Sequence, residues 1–448
     1  MHLTGSMRIN RDGHLEIGGI DTVTLAQEFG TPLWVIDEEG FRSNCRCIKE
    51  AFTALGDAKV VYACKSLCTL SLLKIVEQEG LGIDVVSGGE LYTALQAGFP
   101  MDLVYFHGNN KSLQELEMAV ENGVGRIVVD NLYELEMLND VCSKQKKHQD
   151  ILLRITPGIE AHTHHYIMTG QIDSKFGFTL PGGQAMNGVK MALEKSNLNL
   201  VGLHCHIGSQ IFEMDSFKYT AAVMVEFMGE IRTRTGCELS ELDLGGGLGI
   251  FYADGDEPKH PSLWAEAIMT AVQQESLRNG IRVPQVIVEP GRAIVSPAGI
   301  TLYTVGSIKE IDGIRKYAAV DGGMADNPRP ALYNAKYHAI LANKANEPKA
   351  ETVSVAGKCC ESGDLLIEQI SLPRIESGDI LAVFATGAYN YSMSSNYNQL
   401  PRPAMVLVKD GKADIIIRRQ TYEDLIRNDI LLARLAGETG KSHPKHKK

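Results

Sequence analysis

The chain has 448 residues, of which 44% are hydrophobic and 22% are charged, and its formal net charge is −11 at pH 7. A chain of this length is too long to form one ordinary hydrophobic core. We therefore expect two domains, or a large barrel with a smaller second domain. The acidic balance argues against nucleic acid and anionic membranes as partners. No apolar run is long enough to span a bilayer. Nine cysteines without paired zinc-type spacing favour a reducing, cytoplasmic setting.

Apolar strand candidates alternate with helix-like segments through the first two thirds of the chain. The strand candidates are Val60–Cys64, Leu81–Val86, Leu103–His107, Arg126–Asp130, Ile151–Ile155, Leu200–His206, Leu239–Leu244 and Val283–Glu289. Helix-like segments lie at Leu70–Glu79, Gly89–Ala97, Leu113–Asn122, Leu132–Lys144, Phe217–Thr235 and Ser262–Asn279. Eight consecutive strand–helix units match a parallel (β/α)8 barrel of the TIM type. An open doubly wound sheet could hold the same elements, but it does not call for eight units in a row.

The pattern changes after Arg292, where short β-branched runs are separated by turn signals such as Asp321-Gly322-Gly323. Such runs predict an antiparallel β-sandwich or barrel domain. Strand-like segments near the N-terminus, Leu15–Ile20 and Pro32–Ile36, are expected to join it. The predicted fold class is therefore α/β plus β. We place the barrel at residues 37–292, the β domain at 1–36 and 293–436, and a flexible basic tail at 437–448.

Polar residues stand where the predicted barrel strands end, which is where TIM barrels carry their working groups. Lys65 follows the first strand, and a single amine there is a candidate for carbonyl chemistry. Burial disfavours the ammonium form, and only the neutral amine can attack an aldehyde. A lysine at a strand end is more often a solvated rim residue, so Lys65 alone decides little. The other strand ends deliver Asp84, Ser87, His107, His204 and His206.

Two glycine segments follow the last two strands of the predicted barrel. Gly245-Gly246-Gly247 ends the seventh strand, and Glu289-Pro290-Gly291-Arg292 ends the eighth. Loops at these places commonly bind phosphate, because glycine lets backbone N–H groups approach the phosphate oxygens closely. A tight turn would explain the glycine triplet alone equally well. A lysine suited to an aldehyde, beside a phosphate site, indicates pyridoxal phosphate as the cofactor.

Glu289 is the candidate partner of the pyridine nitrogen of that cofactor. A carboxylate keeps the nitrogen protonated and makes the ring a strong electron sink, which favours decarboxylation over racemisation. The alternative is a surface glutamate paired with Arg292.

Histidine and cysteine clusters could also indicate other chemistry. We expect only one of His204 and His206 to face the pocket, which argues against joint metal ligation. The segment His162-Thr163-His164-His165 is interpreted as a polar loop over the barrel mouth, so no metal is predicted. A vicinal disulfide between Cys359 and Cys360 is not expected in a reducing compartment. Cys360 is then either a proton donor or an inert buried thiol.

Ten segments occur in order across nearly the whole chain: YACKS, IDVVSGGEL, HGNNK, DSKFGF, HCHIGSQ, LDLGGG, EPGR, NPRPALY, CCESGD and TGAYNYSM. Together they closely resemble the diaminopimelate decarboxylases, within the fold-type III (alanine-racemase-like) pyridoxal-phosphate enzymes. EPGR and GGG also resemble ornithine and arginine decarboxylases of that fold. NPRPALY with CESGD resembles the diaminopimelate branch. Cys359 is an additional cysteine to which the resemblance assigns no role.

The resemblance implies a role for individual residues. Lys65 would hold the cofactor covalently, and Cys360 would return a proton to the substrate carbon. The cofactor-binding set would be Lys65, His206, Ser209, Gly246, Gly247, Glu289, Gly291, Arg292 and Tyr389. The substrate-binding set would be Arg292, Arg329, Tyr333, Glu361 and Tyr389. The resemblance also implies a homodimer, in which the CESGD loop enters the active site of the neighbouring subunit.

The chemistry of the substrate favours the same residue types. A substrate with an amino-acid group at each end needs a planar cation that can form two hydrogen bonds to its distal carboxylate. The guanidinium groups of Arg292 and Arg329 supply such cations. Glu361 supplies an anion for its distal ammonium. We therefore predict decarboxylation of meso-2,6-diaminopimelate to L-lysine and CO2, the last step of lysine biosynthesis. The alternatives are a related decarboxylase of D-lysine, D-ornithine or a carboxy-polyamine, a racemase, and a non-catalytic binding protein on this fold.

Overall fold

A computed structural model describes residues 3–158 and 173–435 of the chain. The predicted tail at 437–448 and the segment His162-Thr163-His164-His165 lie outside the described residues. No helix within the described ranges is long and apolar enough to cross a membrane.

The secondary structure alternates strands and helices up to residue 288 and is mostly strand beyond it. The strands are β1 (Arg8–Ile9), β2 (Leu15–Ile17), β3 (Ile20–Asp21), β4 (Leu33–Asp37), β5 (Ala58–Ala63), β6 (Gly82–Val85), β7 (Val104–Phe106), β8 (Arg126–Val129), β9 (Gln149–Thr156), β10 (Phe178–Thr179), β11 (Leu198–His204), β12 (Glu241–Asp243), β13 (Gln285–Val288), β14 (Gly299–Ile311), β15 (Arg315–Val320), β16 (Ala339–Leu341), β17 (Glu351–Ala356), β18 (Leu365–Leu372), β19 (Ile380–Phe384), β20 (Ala404–Lys409) and β21 (Lys412–Ile417). The helices are α1 (Thr22–Phe29), α2 (Glu38–Thr53), α3 (Leu70–Gln78), α4 (Gly88–Gln96), α5 (Leu113–Glu121), α6 (Leu132–Gln145), α7 (Gln184–Leu193), α8 (Met214–Thr235), α9 (Pro261–Arg278), α10 (Arg292–Val295), α11 (Arg329–Tyr333) and α12 (Tyr422–Ile426).

Eight parallel strands, β5 to β9 and β11 to β13, form a closed barrel, because β13 pairs with β5 as well as with β12. This closure confirms the TIM-type prediction and excludes the open sheet. The six helices predicted between barrel strands correspond to α3–α6, α8 and α9, whereas α2 and α7 were not predicted. The strands are apolar on both faces because one face meets the helices and the other fills the lumen.

Polar caps and aromatic packing fix the helices around the barrel. Ser87 and Asn131, each just after a barrel strand, accept the backbone N–H groups that begin α4 and α6. The buried Trp264 of α9 packs edge-on against Phe52 of α2 and Phe217 of α8, at ring distances of 4.9 and 5.7 Å. The barrel strands are thereby held in place, and their carboxyl ends share one mouth.

A second sheet of nine strands follows the barrel in the chain and takes one strand from before it. Most neighbours are antiparallel, as predicted, but two pairs are parallel: β4 with β20, and β15 with β17. The segment Pro32–Ile36 joins this sheet as β4, as predicted. Leu15–Ile17 instead lies in a separate small sheet of β1, β2 and β3 that packs on the same core. The domain boundaries at residues 36/37 and 292/293 stay predictions.

Candidate active site

A layer of polar side chains lies at the mouth of the barrel. Apolar residues fill the middle of the lumen: Val61, Tyr105, Val128, Leu152 and Ile287. Alternate residues of a strand face the same side. On four of these strands, the residue two positions after the apolar one is polar and largely buried: His107, Asp130, Arg154 and Glu289. The strand period therefore places charged groups together above an apolar floor.

Glu289 is an ionised carboxylate at the centre of this layer. Its Oε1 lies 2.6 Å from His107 Nε2, and its Oε2 lies 3.3 Å from His204 Nε2. Burial raises the pKa of Glu289, but the two imidazoles outweigh burial and hold that pKa well below its ordinary value. Glu289 is only 5% exposed. The alternative of a surface glutamate paired with Arg292 is wrong.

Lys65 lies in a short 3-10 turn, Cys64–Ser66, directly after β5. Burial lowers the pKa of its amine, but the charges of Asp84 and Glu289 raise it, and the resulting pKa lies above the ordinary value. Burial thus disfavours the ammonium form, as expected, but the neighbouring carboxylates outweigh burial in the protein without a ligand. Asp84 is 1% exposed, and neither of its carboxylate oxygens has a hydrogen-bond partner among the described residues.

A pocket surrounds Lys65 and brings together most of the predicted cofactor-binding residues. Its lining includes Lys65, His206, Ser209, Gly247, Glu289, Gly291, Arg292 and Tyr389. Gly246 lies where a Cβ would come within 2.2 Å of the Glu289 carbonyl oxygen, so no larger residue fits. Gly247 has a φ of +119°, which glycine adopts without strain. These glycines are therefore needed for the close packing of the segment after β12 on the neighbouring strand ends beside the pocket.

Arg292 and Arg329 both lie against Tyr252, a residue that the sequence analysis did not identify. Arg292 Nη1 donates to the Tyr252 hydroxyl at 2.7 Å, and its Nε and Nη2 donate to Ser209 Oγ at 3.1 and 2.9 Å. The Arg329 guanidinium lies 4.9 Å from the Tyr252 ring centre, and its Nη1 donates to Tyr337 at 2.7 Å. The two arginines predicted to bind one carboxylate therefore share one aromatic neighbour.

Three other predicted site residues are exposed. Tyr333, at the end of α11, is 63% exposed. Cys360 and Glu361 lie on the exposed loop between β17 and β18, where the Cys360 N–H donates to Asn398 Oδ1 at 2.7 Å. Among the described residues, no hydrogen bond or ion pair connects these three side chains to the Lys65 pocket. The alternative of an inert buried thiol at Cys360 is wrong, whereas Cys359 is buried and its pKa is raised by burial to about 11.

Of His204 and His206, only His206 lines the Lys65 pocket, as expected, whereas His204 contacts Glu289. Residues two apart along a strand point to the same face, so the alternation of the strand is not the reason for this difference. Ligand atoms of His107, His204, Asp243 and Glu289 lie within 4.8 Å of one another, an arrangement that could hold a cation. The absence of a metal therefore stays a prediction.

Tyr252 and Tyr337 carried no signal in the sequence. Each is an isolated tyrosine in an apolar or polar run, and only the packing of the segment after β12 on the second sheet brings them to the arginines. His107 and Asp84 were identified as strand ends, but the contact of His107 with Glu289 depends on barrel closure.

Pyridoxal phosphate fits these residues. The pocket offers one primary amine, an ionised carboxylate suited to a protonated ring nitrogen, and a close glycine backbone suited to a phosphate. It also holds a polar atom that a ligand could satisfy, since His206 Nδ1 has no hydrogen-bond partner among the described residues. Burial holds the pKa of His206 well below its ordinary value, so its ring is neutral and can stack on an aromatic ligand.

The buried His204 predicts a loss of stability in acid. Burial lowers its pKa to about 3, from 6.5 in an unfolded chain. Protons therefore bind the unfolded chain first, so His204 contributes stability above about pH 6.5 that is lost as the pH falls below it. When the pH is lowered from about 7 to about 5, the unfolding free energy of both proteins falls. We expect the fall in His204→Gln to be about 2 kcal/mol smaller than in the unsubstituted protein.

Urea unfolding of the cofactor-free protein at the two pH values measures this difference. The exposed His148→Gln is the control and should follow the unsubstituted protein. An identical pH dependence in His204→Gln and the unsubstituted protein would show that His204 is not a buried neutral group.

Comparison with known proteins agrees with the geometry of this pocket. Residues 40–296 match the family model described as pyridoxal-dependent decarboxylase, pyridoxal binding domain. Diaminopimelate decarboxylase of Bacillus subtilis (strain 168) is 51% identical over 431 residues, covering 96% of this chain and 98% of its own. Diaminopimelate decarboxylase of Halalkalibacterium halodurans is 52% identical over 435 residues, which cover 97% of this chain and 99% of that protein. The crystal structure of diaminopimelate decarboxylase from M. jannaschii with L-lysine superposes on this chain with a TM-score of 0.90 at 37% sequence identity. The superposition covers 96% of this chain and 99% of that chain. The chain therefore belongs to the diaminopimelate decarboxylase family of pyridoxal-dependent decarboxylases.

Proposed function

We propose that the protein decarboxylates meso-2,6-diaminopimelate to L-lysine and CO2, with pyridoxal phosphate as cofactor, in the last step of lysine biosynthesis. The observation that carries this proposal is the pair of arginines beside the Lys65 pocket. Arg292 and Arg329 share Tyr252, and a substrate with a carboxylate at its non-reacting end gives both guanidiniums a partner. Ornithine and lysine decarboxylation would leave two cations unpaired there. The relatives' names favour the same substrate.

Bound pyridoxal phosphate supplies an electron sink for the carbanion that CO2 loss leaves. Lys65 Nζ would bind the cofactor covalently, and Glu289 would keep the ring nitrogen protonated. His206 would stack on the ring. Ser209, Tyr389 and the backbone of Gly246, Gly247 and Gly291 would bind the phosphate, and Arg292, which donates to Ser209 Oγ, would complete the cofactor-binding set.

Substrate binding and proton return use residues from four places in the chain. Arg292, Arg329, Tyr333 and Tyr389 hold the distal carboxylate end, and Glu361 holds the distal ammonium. Cys360 Sγ holds the proton that returns to the reacting carbon.

The exposed loop that carries Cys360 and Glu361 supports a homodimer. Both side chains are exposed in the single chain, although they are polar groups of the proposed machinery. In the proposed dimer each subunit gives this loop to the other's Lys65 pocket, so each active site lies at the subunit interface. The nine free cysteines support a reducing, cytoplasmic location. We also propose the domain division at residues 36/37 and 292/293.

Carbon dioxide release tests the proposed reaction. The purified holoenzyme is given meso-diaminopimelate, D-lysine, D-ornithine, L-lysine or L-ornithine, and the amine product is identified by mass. We expect rapid turnover of meso-diaminopimelate alone, with L-lysine as product, because only this substrate pairs both arginines. Preference for a substrate without a distal carboxylate would refute the assignment of Arg292 and Arg329.

Mixing inactive variants tests the shared active site. Lys65→Ala and Cys360→Ala are each expected to be inactive as pure dimers. After subunit exchange, half of the dimers contain one intact site, so we expect about a quarter of the unsubstituted activity to return. Lys65→Ala mixed with Glu289→Gln is the matched control, because both changes lie in the same chain's pocket and no site is restored. An absence of recovery in the first mixture would place Cys360 in its own subunit's site.

A further inference from the structure

The ring of Tyr252 is fixed between the barrel and the second sheet. It follows β12 in a segment whose turn is held by Asp256, because Asp256 Oδ2 accepts the N–H groups of Tyr252 and Ala253 at 2.8 and 3.1 Å. Tyr252 is 6% exposed and packs edge-on against Tyr337, with ring centres 5.3 Å apart. Its position is therefore set by the scaffold before any ligand binds.

The direction of the hydrogen bonds at the Tyr252 hydroxyl follows from counting protons. Ser296 Oγ donates its only proton to the Ala385 carbonyl oxygen at 2.7 Å. At the 3.0 Å contact between the two hydroxyls, Tyr252 must therefore be the donor. The Tyr252 oxygen then accepts from Arg292 Nη1 at 2.7 Å. Arg292 is thus held at one end of a chain that terminates on the backbone.

The same ring supports the second arginine from its face. The Arg329 guanidinium lies 4.9 Å from the Tyr252 ring centre, within the range of a cation–π contact. Arg329 is 7% exposed. Within residues 3–158 and 173–435, neither Arg292 nor Arg329 forms an ion pair with an acidic side chain. Two guanidiniums are therefore brought together on one tyrosine, and no anion of the described residues neutralises them.

We infer that Tyr252 is a positioning residue for substrate recognition. It sets the spacing of Arg292 and Arg329 so that both can bind one carboxylate of the substrate. Its hydroxyl orients Arg292, and its ring supports Arg329 and offsets the repulsion between the two cations. The inference rests on the proposed function, since the carboxylate is the one that L-lysine retains. Tyr252 acts through the arginines and takes no part in the bond-breaking step.

Tyr252→Phe tests this role because it removes the hydroxyl and keeps the ring. We measure L-lysine and cadaverine binding to the holoenzyme, and the KM and kcat for meso-diaminopimelate. Cadaverine is lysine without its carboxylate. We expect about tenfold weaker L-lysine binding and a similar rise in KM, because one hydrogen bond to a charged group is lost. Cadaverine binding, kcat and the visible absorbance of the cofactor should stay unchanged.

Tyr105→Phe is the matched control, because the Tyr105 hydroxyl is buried in the barrel lumen without a hydrogen-bond partner among the described residues. It should leave L-lysine binding unchanged. Unchanged L-lysine binding in Tyr252→Phe would overturn the inference, and so would an equal loss for L-lysine and cadaverine, which marks a merely structural role. If the unsubstituted holoenzyme neither binds L-lysine nor releases CO2 from meso-diaminopimelate, the proposed function itself fails.

Discussion

The arrangement of the active site depends on one buried charge, the ionised carboxylate of Glu289. A charge in a protein interior is costly unless other groups stabilise it. Here His107 and His204 contact its two oxygens and hold the pKa of Glu289 well below its ordinary value. A cationic ring nitrogen would neutralise Glu289. Asp84 and, to a smaller extent, Glu289 raise the pKa of Lys65. The buried carboxylates thus set the electrostatics around the Lys65 amine.

A second constraint lies where the barrel meets the following sheet. Arg292 begins α10 directly after the last barrel strand, whereas Arg329 begins α11 within the β region. Tyr252 follows barrel strand β12, and its ring packs in the core of the second sheet. Barrel strand ends form most of the proposed cofactor end of the pocket, with Tyr389 from the β region, and the proposed substrate-selecting end requires both parts of the chain. This division explains how one barrel can keep its cofactor chemistry while the substrate end is built from other elements.

The strand-end residues could be predicted from sequence because barrel geometry gathers every carboxyl end at one mouth. Lys65, the glycine segments and Glu289 were located in this way, with their motifs as support. The direction in which the pKa of Lys65 is shifted could not be predicted, because it depends on the sum of burial and several charges from other strands. Tyr252 was missed because its contacts join segments about forty to eighty residues apart, which leave no local pattern. The two parallel pairs of the second sheet were missed for the same reason.

Binding of the cofactor by Lys65 is tested most directly by the visible absorbance of Lys65→Ala. The variant is purified with excess pyridoxal phosphate and passed through gel filtration, beside Lys59→Ala, which changes a lysine of the same strand before the mouth. We expect the cofactor band to be lost from Lys65→Ala and retained by Lys59→Ala and by the unsubstituted protein. A band of full intensity in Lys65→Ala after gel filtration would contradict the assignment of Lys65 and the pocket built around it.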